Sequence, residues 1–386
     1  MPLAIAGDLV ETARRIAEAV VAPAADAVDR DARFPHEAMA ALREERMLGA
    51  FVPRELGGRG ATIGELAACC EALGRSCAST AMIYAMHQIE VACIVRHALS
   101  STFFRDYLAE LARRQWLIAS ATSEVGVGGD LRRSICAVER DGPRIRVVKR
   151  APVISYGEEA DDILLTARRA PDAAPGDQVL VLVRNAGVRL TRTGEWDTLG
   201  MRGTRSLGFI LEACGSPEQV VPVPFADVAS QTMLPTSHVL WTSLWLGLAS
   251  DAVGRARAFV RAEARRAPGT VPPAAHRLAE TVAELGTMRA TVHGGLLDFE
   301  QHQDDPDALA GLGFAIRMNS LKTSASRLAP EIVARALGVC GVSGYRNDSP
   351  YAVGRHLRDA HGAALMISND RIFSANAAML LVHKED

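Results

Sequence analysis

The chain has 386 residues, which is too long for one simple core and indicates two or three packed domains. Apolar residues make up 48% of it and charged residues 23%, so there is ample material for a buried interior. The formal net charge of −2 gives no electrostatic reason to expect nucleic acid or an anionic membrane as a partner.

The cysteines and the start of the chain bear on the cellular compartment. Seven cysteines are present, an odd number with no C-x-x-C spacing, so we expect neither a disulfide framework nor a metal site. The segment Met1–Ile5 has no basic stretch before an apolar run, as a secretory leader would. No stretch approaches the roughly 20 uncharged apolar residues of a membrane span. We therefore expect a cytoplasmic protein without a membrane partner.

The first third of the chain has the spacing of amphipathic helices. Apolar residues recur every three or four positions from Leu9 to Val20, and this spacing returns after Pro35 and over 63–111. A turn-rich break, PRELGGRG, interrupts it at 53–60. These patterns predict an N-terminal all-α domain over residues 1–118.

Short apolar segments replace this pattern in the middle of the chain. The run VLVLV at 179–183 is typical of a buried strand, and breaks such as APDAAPG at 170–176 separate it from its neighbours. Helical spacing resumes after Asp227 and lasts to the C-terminus. The order of helices, strands and helices argues against a doubly wound sheet. It predicts a β domain over residues 119–228 and a helical domain over 229–386.

Six short motifs, spread over nearly the whole chain, are more specific together than any one of them alone. They are MLGAFVPRELGG at 47–58, STA followed by His87 at 79–87, SEVGVGGD at 123–130, VISY at 153–156, LGMRGTRS at 199–206, and GVSGY followed by RHLRDA at 341–360. In this order and at this spacing they resemble motifs of the acyl-CoA dehydrogenase family, among them TEPGAGSD, WITN and LGMRGTxS. The chain has no G-x-G-x-x-G fingerprint opening a helix, which suits this family.

The resemblance implies an α+β multidomain fold, mainly α, with an N-terminal helical domain, a middle β-barrel and a C-terminal four-helix bundle. It also implies FAD as the cofactor. Glycines in the 123–130 segment would let the backbone approach the flavin closely. The residues that the resemblance assigns to the cofactor are Thr122, Ser123, Gly128, Gly129, Val153, Ser155, Arg265, Gly338, Gly341, Val342 and Asn369.

Two of these assignments imply an oligomer. Arg265 matches an arginine that reaches the FAD pyrophosphate of a neighbouring subunit, and 338–342 matches a segment that crosses the subunit boundary. We therefore expect a homodimer or homotetramer. Taken without the resemblance, Arg265 could equally lie on a solvated helix face beside Arg261 and Arg266.

The sequence departs from the family where a catalytic base is expected. The family removes the α-proton of an acyl thioester with a carboxylate while hydride leaves the β-carbon for the flavin. The glutamate of the family's YEGT motif corresponds to Ile367, nine residues after Arg358, and a second family position for it falls at about Leu244. Neither side chain can accept a proton.

Other departures concern residues near the FAD and near the nucleotide end of the substrate. Trp245 stands where the family has an arginine that helps to hold the nucleotide end of the substrate. Gly129 and Val153 replace a serine and a tryptophan beside the flavin. Pro268 and Gly338 replace a phenylalanine and a glutamine near the FAD. These changes affect CoA recognition more than flavin binding.

Asp370 is the candidate substitute base, because it lies three residues past Ile367 and would face the pocket after a shift in helix register. An exposed or capping carboxylate is the alternative interpretation. We assign His87, Leu244, Trp245 and Ile367 to the substrate pocket, although His87 could instead be a satisfied core histidine.

Three functions are open on this basis. The first is FAD-dependent oxidation of the Cα–Cβ bond of an acyl thioester, presented by CoA or a carrier protein, with an electron acceptor or flavin reductase that the sequence does not specify. The second is a flavin-dependent monooxygenase or oxidase of the same fold, because oxygen chemistry on reduced flavin needs no α-proton to be removed. The third is a non-catalytic homologue that binds flavin or an acyl group, for which the apolar Ile367 is suitable.

Overall fold

The computed structural model describes residues 7–383. Residues 1–6 and 384–386 lie outside the described residues. The expectation that Met1–Ile5 is not a leader therefore lies outside the described residues. The outer ends of the two predicted helical domains lie outside them too.

Six helices form the N-terminal part of the fold, each with apolar residues on its inner face. Helix α4 begins with a capping box, in which the N–H of Glu65 donates to the Thr62 hydroxyl and the N–H of Thr62 donates to the Glu65 carboxylate. A π-helical turn over Ala17–Val21 joins the first two helices. The bounds are α1 Gly7–Ile16, α2 Ala22–Arg30, α3 His36–Glu44, α4 Ile63–Ser76, α5 Ala78–His97 and α6 Thr102–Arg114.

Helix α5 lies at the centre of this part. By length and composition alone it could cross a membrane. However, 16 of its 20 residues are buried, because the helix packs between α4, the first strand and the C-terminal helices. A helix that is apolar on all sides and covered by protein is typical of the core of a large domain.

The middle of the chain forms two sheets. One has the strand order β1-β4-β5, in which β1 and β4 are parallel, and the other is antiparallel with the order β2-β3-β7-β6. Burial alternates along β3, whereas β4 and β5 are buried on both faces. The bounds are β1 Ile118–Ala121, β2 Glu139–Asp141, β3 Arg144–Ile154, β4 Asp162–Arg168, β5 Gln178–Arg184, β6 Val188–Gly194 and β7 Leu207–Gly215.

Long helices form the C-terminal part. The bounds are α7 Phe225–Val228, α8 Leu234–Arg266, α9 Ala274–His302, α10 Pro306–Ala310, α11 Leu312–Cys340, α12 Val342–Tyr345, α13 Gly354–His361 and α14 Asn369–Leu380. Helix α8 packs against α9, α11 and the N-terminal α4. At the crossing of α4 and α8 a methyl group on Gly74 or Gly247 would overlap the backbone of the facing helix, at Leu244 and Glu71 respectively. These glycines let the N-terminal and C-terminal helices share one core.

The fold class predicted from the sequence is confirmed: helices, then sheet, then helices, with helix predominating. The expected β-barrel takes the form of two separate hydrogen-bonded sheets within the described residues. Side chains fill the space between them, and an isolated bridge from Val181 to Val220 extends the first sheet.

Candidate active site

Glu124 anchors the segment that follows β1. Its carboxylate accepts hydrogen bonds from the Ser134 hydroxyl at 2.7 Å and the Lys149 ammonium at 3.2 Å. It also accepts from the backbone N–H groups of Ile135 at 3.1 Å and Cys136 at 2.6 Å. Burial alone would raise the pKa of Glu124, but Lys149 and these hydrogen bonds outweigh it and lower the pKa. This buried network fixes the point at which the glycine-rich turn begins.

The glycine-rich turn, residues 126–129, depends on glycine for its shape. Gly126, Gly128 and Gly129 have φ angles of 96°, 62° and 74°, which L side chains rarely adopt. The backbone N–H groups of the turn have no acceptor among residues 7–383, while those of Val125 and Asp130 on either side donate to Arg150 and Val127 carbonyls. The turn therefore presents free donors on an exposed surface.

Three of the sequence motifs meet beside this turn. The Ser123 hydroxyl donates to the Val153 carbonyl at 2.9 Å. The Ser155 hydroxyl lies 2.8 Å from that of Ser206, which joins the 153–156 and 199–206 motifs. Val153 is 38% exposed and Thr122 is half-buried, so both can contact a ligand. The structure thus brings Thr122, Ser123, Val153 and Ser155 together, while their contact with a cofactor stays a prediction.

Ile367 occupies a strained turn at the position of the family's base. Its φ angle of 46° lies in the left-handed region, where a β-branched residue is a genuine outlier. Its carbonyl accepts a hydrogen bond from the Lys322 ammonium at 2.7 Å, and its side chain is 38% exposed. A partly exposed apolar side chain therefore stands where a carboxylate was expected, and backbone strain of this kind is often found at functional sites.

The Asn369 side chain is bound to side chains of α11 in this structure, and its contact with a cofactor stays a prediction. Its side-chain oxygen accepts from the Lys322 ammonium at 2.8 Å, and its amide nitrogen donates to the Ser326 hydroxyl at 3.1 Å. The residue is 9% exposed. Its amide therefore ties the end of the Ile367 turn to α11.

Lys322 is a buried cation without a carboxylate partner among residues 7–383. Its side chain is fully buried, and burial lowers the pKa of its ammonium to about 8. The two carbonyl oxygens that it contacts and the ring of Trp245, 6.0 Å from Nζ, are its main neighbours. A positive charge thus lies beneath the position at which the family has a negative one.

Leu244 and Trp245 are core residues in this structure, and their assignment to the substrate pocket stays a prediction. They are 0% and 1% exposed. The Leu244 backbone is covered by the close approach of Gly74, and the Trp245 ring lies beside Lys322. Helix packing, rather than a ligand, accounts for both positions.

His87 is also buried in the core, as the alternative interpretation of this residue expected, and its contact with a substrate stays a prediction. Its Nε2 donates to the Leu48 carbonyl at 2.7 Å, and its Nδ1 accepts from the N–H of Ile118 at 3.0 Å. Burial lowers the pKa of the imidazole to about 4, so the ring is neutral. With both nitrogens bound to backbone groups, His87 fixes α5 against the 47–48 turn and β1.

Asp370 is exposed on the first turn of α14, and its carboxylate makes no hydrogen bond or ion pair with residues 7–383. The register shift that would turn it inward does not occur, because Asn369 is fixed to α11. In this structure Asp370 is thus a solvated carboxylate near a helix N-terminus, and its role as catalytic base stays a prediction. The side chain of the next residue, Arg371, lies against Gly129.

Four of the residues assigned to a subunit boundary lie on the surface, whereas Val339 and Cys340 within 338–342 are buried. Arg265 and Gly338 are exposed, and a side chain at Gly338 or Gly341 would meet open space. Val342 is 75% exposed. Their contact with the cofactor of a second subunit stays a prediction.

Sequence reasoning missed Lys322, Arg371 and His238. One signal was available: only three of the 43 basic residues are lysines. The two lysines within the described residues, Lys149 and Lys322, are both fully buried. In a chain whose surface cations are arginines, a lysine marks an interior position.

His238 lies on the same face of α8 as Trp241 and Trp245. It is 1% exposed, and neither ring nitrogen has a hydrogen-bond partner in the structure. Burial, assisted by the charge of Lys322, lowers its pKa to about 3. The imidazole is therefore neutral at pH 7.

Replacing His238 with glutamine is expected to weaken the pH dependence of stability in acid. Below pH ~6.5 the unfolded chain binds a proton at a histidine, whereas folded His238 stays neutral down to about pH 3. Its contribution is thus present above pH ~6.5 and is lost as the pH falls, by about 1.4 kcal/mol per pH unit. Urea unfolding at pH 7 and pH 5 measures this slope. His276→Gln, at a histidine whose side chain is 82% exposed, is the control, and equal slopes for both variants would contradict the expectation.

Two family models match this chain. The family description "Acyl-CoA dehydrogenase, N-terminal domain" matches residues 7–115, and "Acyl-CoA dehydrogenase, C-terminal domain" matches residues 227–366. The second match ends one residue before Ile367. The two matches together cover more than half of the chain.

Similar full-length proteins include both dehydrogenases and another kind of enzyme. The probable acyl-CoA dehydrogenase FadE25 of Mycobacterium tuberculosis is 26% identical over 353 residues, covering 90% of this chain and 87% of its own. The amino sugar nitrososynthase DnmZ of Streptomyces peucetius is 25% identical over 353 residues, covering 88% and 84%. The structure of butyryl-CoA dehydrogenase from Megasphaera elsdenii superposes with a TM-score of 0.82 at 16% identity, covering 99% of each chain.

The structural match supports the fold, and the matches to both terminal domains support the ancestry. The glycine-rich turn belongs to one of the motifs that first suggested the relationship. The chain belongs to the acyl-CoA dehydrogenase family.

Proposed function

We propose that this protein is a flavin-dependent oxidoreductase. Its proposed substrates are acyl thioesters, which it would oxidise at the Cα–Cβ bond. The contact between Gly129 and Arg371 carries the proposal, because it brings the glycine-rich turn against the segment that holds the base position. Residues more than 200 positions apart are thereby in contact, and we propose that the surface between them is the groove that binds the ligand. Family membership supports the reaction class.

The residues of the groove fit a flavin. The free N–H groups of residues 126–129 suit polar oxygens of a ligand, and the exposed parts of Val153 and Ile367 offer apolar surface to a planar ring. A bound flavin would supply the hydride-accepting chemistry. We propose FAD as this flavin, as the resemblance implies, with Ser123 and Val153 beside it.

The chain's own residues hold the groove in shape and leave it without a base. Lys322 and Asn369 fix the Ile367 turn, and the Glu124 network fixes the glycine-rich turn. No carboxylate stands at position 367, so we expect removal of an α-proton to be slow in the natural sequence.

Anaerobic titration of the flavin-loaded protein with a series of acyl-CoA esters tests the proposal. Loss of the oxidised flavin absorbance band is the expected result and supports thioester oxidation. An unchanged band with every ester argues against it. A protein that binds no flavin at all would contradict the cofactor assignment as well.

A flavin monooxygenase or oxidase is the second candidate, and the Ile367 turn is the observation that favours it. An apolar side chain above a buried cation is unsuited to taking an α-proton, whereas oxygen chemistry on reduced flavin does not need that step. The similar nitrososynthase shows that relatives of this chain include an enzyme that is not named as a dehydrogenase. Oxygen consumption with a flavin reductase and reduced nicotinamide distinguishes it, and flavin binding without turnover in either assay would favour a non-catalytic homologue.

We also propose a cytoplasmic homodimer or homotetramer. Exposed apolar side chains on α12, Val342 at 75% and Tyr345 at 78%, support an interface at this end of the C-terminal helices. Sedimentation equilibrium measures the state, and a monomer at micromolar concentration would contradict it.

A further inference from the structure

His238 is a buried histidine whose ring is not hydrogen-bonded to the protein. It is 1% exposed, and neither ring nitrogen has a partner among residues 7–383. Within this part of the chain it is the one side chain with two buried polar atoms left unpaired. His87, which is equally buried, uses both of its nitrogens to bind backbone groups. A buried polar group without a partner is unfavourable, so the imidazole at position 238 indicates a ligand.

A second unpaired donor lies on the same face of α8. Trp241 follows His238 by three residues and precedes Trp245 by four, so the three side chains are neighbours on one face of the helix. Trp241 is 7% exposed, and its indole N–H has no acceptor within the described residues. The Trp245 ring lies 6.0 Å from the Lys322 Nζ, which shows that this face is turned toward α11.

Lys322 supplies a positive charge to the same interior region. Its side chain is fully buried, and its ammonium donates only to the Ile367 carbonyl at 2.7 Å and the Asn369 side-chain oxygen at 2.8 Å, both neutral. An ammonium has three N–H groups, so one remains available. Burial and the charge of Lys322 together lower the pKa of His238 to about 3, which shows that the lysine acts on this imidazole.

The described carboxylates do not balance this charge. None of those in residues 7–383 pairs with Lys322, and Asp370 on the nearby first turn of α14 is exposed. The ring of Trp245 and the hydroxyl of Ser326, which lies against Asn369, are neutral. The region between α8 and α11 therefore combines three N–H donors with one uncompensated positive charge.

We propose that His238, Trp241 and Lys322 bind the carboxylate of a small organic acid between α8 and α11. The two oxygens of a carboxylate accept about four hydrogen bonds, which is enough for all three donors. Its single negative charge matches the single ammonium, whereas a phosphate ester carries about two. A buried water would satisfy the imidazole and the indole but would leave the charge of Lys322 unpaired.

The carboxylate has two possible sources. It belongs either to a free organic acid or to a carboxylate on the acyl group of a thioester, and only the second rests on the proposed function. Lys322 holds the carbonyl of Ile367, so the site lies directly beneath the position at which the family has its base.

Calorimetric titration of the full-length protein with butyrate and with butyramide, a neutral molecule of similar shape, tests the site. We expect butyrate to bind at least about 10-fold more tightly than butyramide. His238→Leu and Trp241→Phe should each weaken butyrate binding by about 10- to 100-fold. Trp196→Phe is the matched control, because that indole N–H already donates to the Met201 carbonyl at 3.1 Å.

The two site variants are expected to fold, since neither removes a group that is hydrogen-bonded to the rest of the protein. Circular dichroism checks this. Equal butyrate affinity in the natural protein and both variants would overturn the proposal. So would equal affinity for butyrate and butyramide, or no binding of butyrate at all, because a water is then sufficient.

Reduction of the bound flavin by succinyl-CoA and by butyryl-CoA separates the two sources. If the carboxylate belongs to the substrate, succinyl-CoA reduces the flavin at a lower concentration than butyryl-CoA, and His238→Leu removes this difference. If it belongs to a free acid, the two esters react alike and butyrate still binds. If neither ester reduces the flavin, the proposed function fails, while the butyrate titration still decides the site.

Discussion

Replacing Ile367 with glutamate is expected to raise the rate at which an acyl-CoA ester reduces the bound flavin by about 10²- to 10⁴-fold, the usual contribution of a positioned base. The change puts a carboxylate at the one position where the family's motif has it. The backbone tolerates the substitution, because an unbranched side chain is less strained than isoleucine at a φ angle of 46°. The buried ammonium of Lys322, bound to the carbonyl of the same residue, favours the ionised form of the new carboxyl group.

Two control variants make this experiment decisive. Ile367→Gln introduces the same shape without a base, and Asp370→Asn removes the exposed carboxylate three residues further on. Rates are measured by stopped-flow absorbance under anaerobic conditions. If the glutamate variant is no faster than the glutamine variant, α-proton removal does not limit chemistry in this groove, and the oxygen-using alternative gains support. A large loss of rate on Asp370→Asn would support the prediction that Asp370 is the base, and an unchanged rate would contradict it.

Replacing Lys149 with methionine is expected to destabilise the fold by about 3–5 kcal/mol, because it leaves the buried carboxylate of Glu124 without a counter-charge. The two side chains are 0% and 5% exposed and 3.2 Å apart. The ammonium also donates to the Thr166 carbonyl at 2.8 Å, which would lose this donor. Urea unfolding followed by circular dichroism gives the change in the free energy of unfolding.

The same variant should weaken flavin binding beyond its effect on stability. Glu124 immediately precedes the glycine-rich turn, so loss of its partner loosens the backbone that carries the free N–H groups. Asp177→Asn, which breaks the exposed pair with Arg169, is the control and is expected to cost less than about 1 kcal/mol. A similar small cost for Lys149→Met would mean that water or another group replaces the ammonium. Glu124→Gln should resemble Lys149→Met, and the double variant should cost less than the sum of the two.

The architecture was predictable because it depends on repeating local patterns. Spacing of three and four predicted the helices of both ends, and the run at 179–183 predicted a strand that the structure buries on both faces. Hydrogen bonds from Ser123 and Ser155 join the motifs at 123–130, 153–156 and 199–206, and two of these motifs had been assigned to the same cofactor. How the strands divide into two sheets could not be predicted, because it depends on pairing between distant segments.

The candidate site was only partly predictable. The loss of a carboxylate at Ile367 could be counted from the sequence, since the position is fixed by its distance from Arg358. Asp370 was the natural substitute by spacing, but a difference of one residue on a helix turns a side chain by about 100°. The hydrogen bonds of Asn369 to Lys322 and Ser326 decide that turn, and their partners lie more than 40 residues away.

The sequence by itself therefore determined the family, the order of domains and the absence of a base at position 367, because each of these is recorded in the identity and spacing of nearby residues. The tertiary structure decided which side chains face the groove. It buried His87, Leu244 and Trp245 in helix packing, exposed Asp370, and placed Lys322 and Arg371 on either side of the Ile367 turn. The physical reason is that burial and charge pairing depend on contacts between distant segments, and no local pattern records which segments will meet.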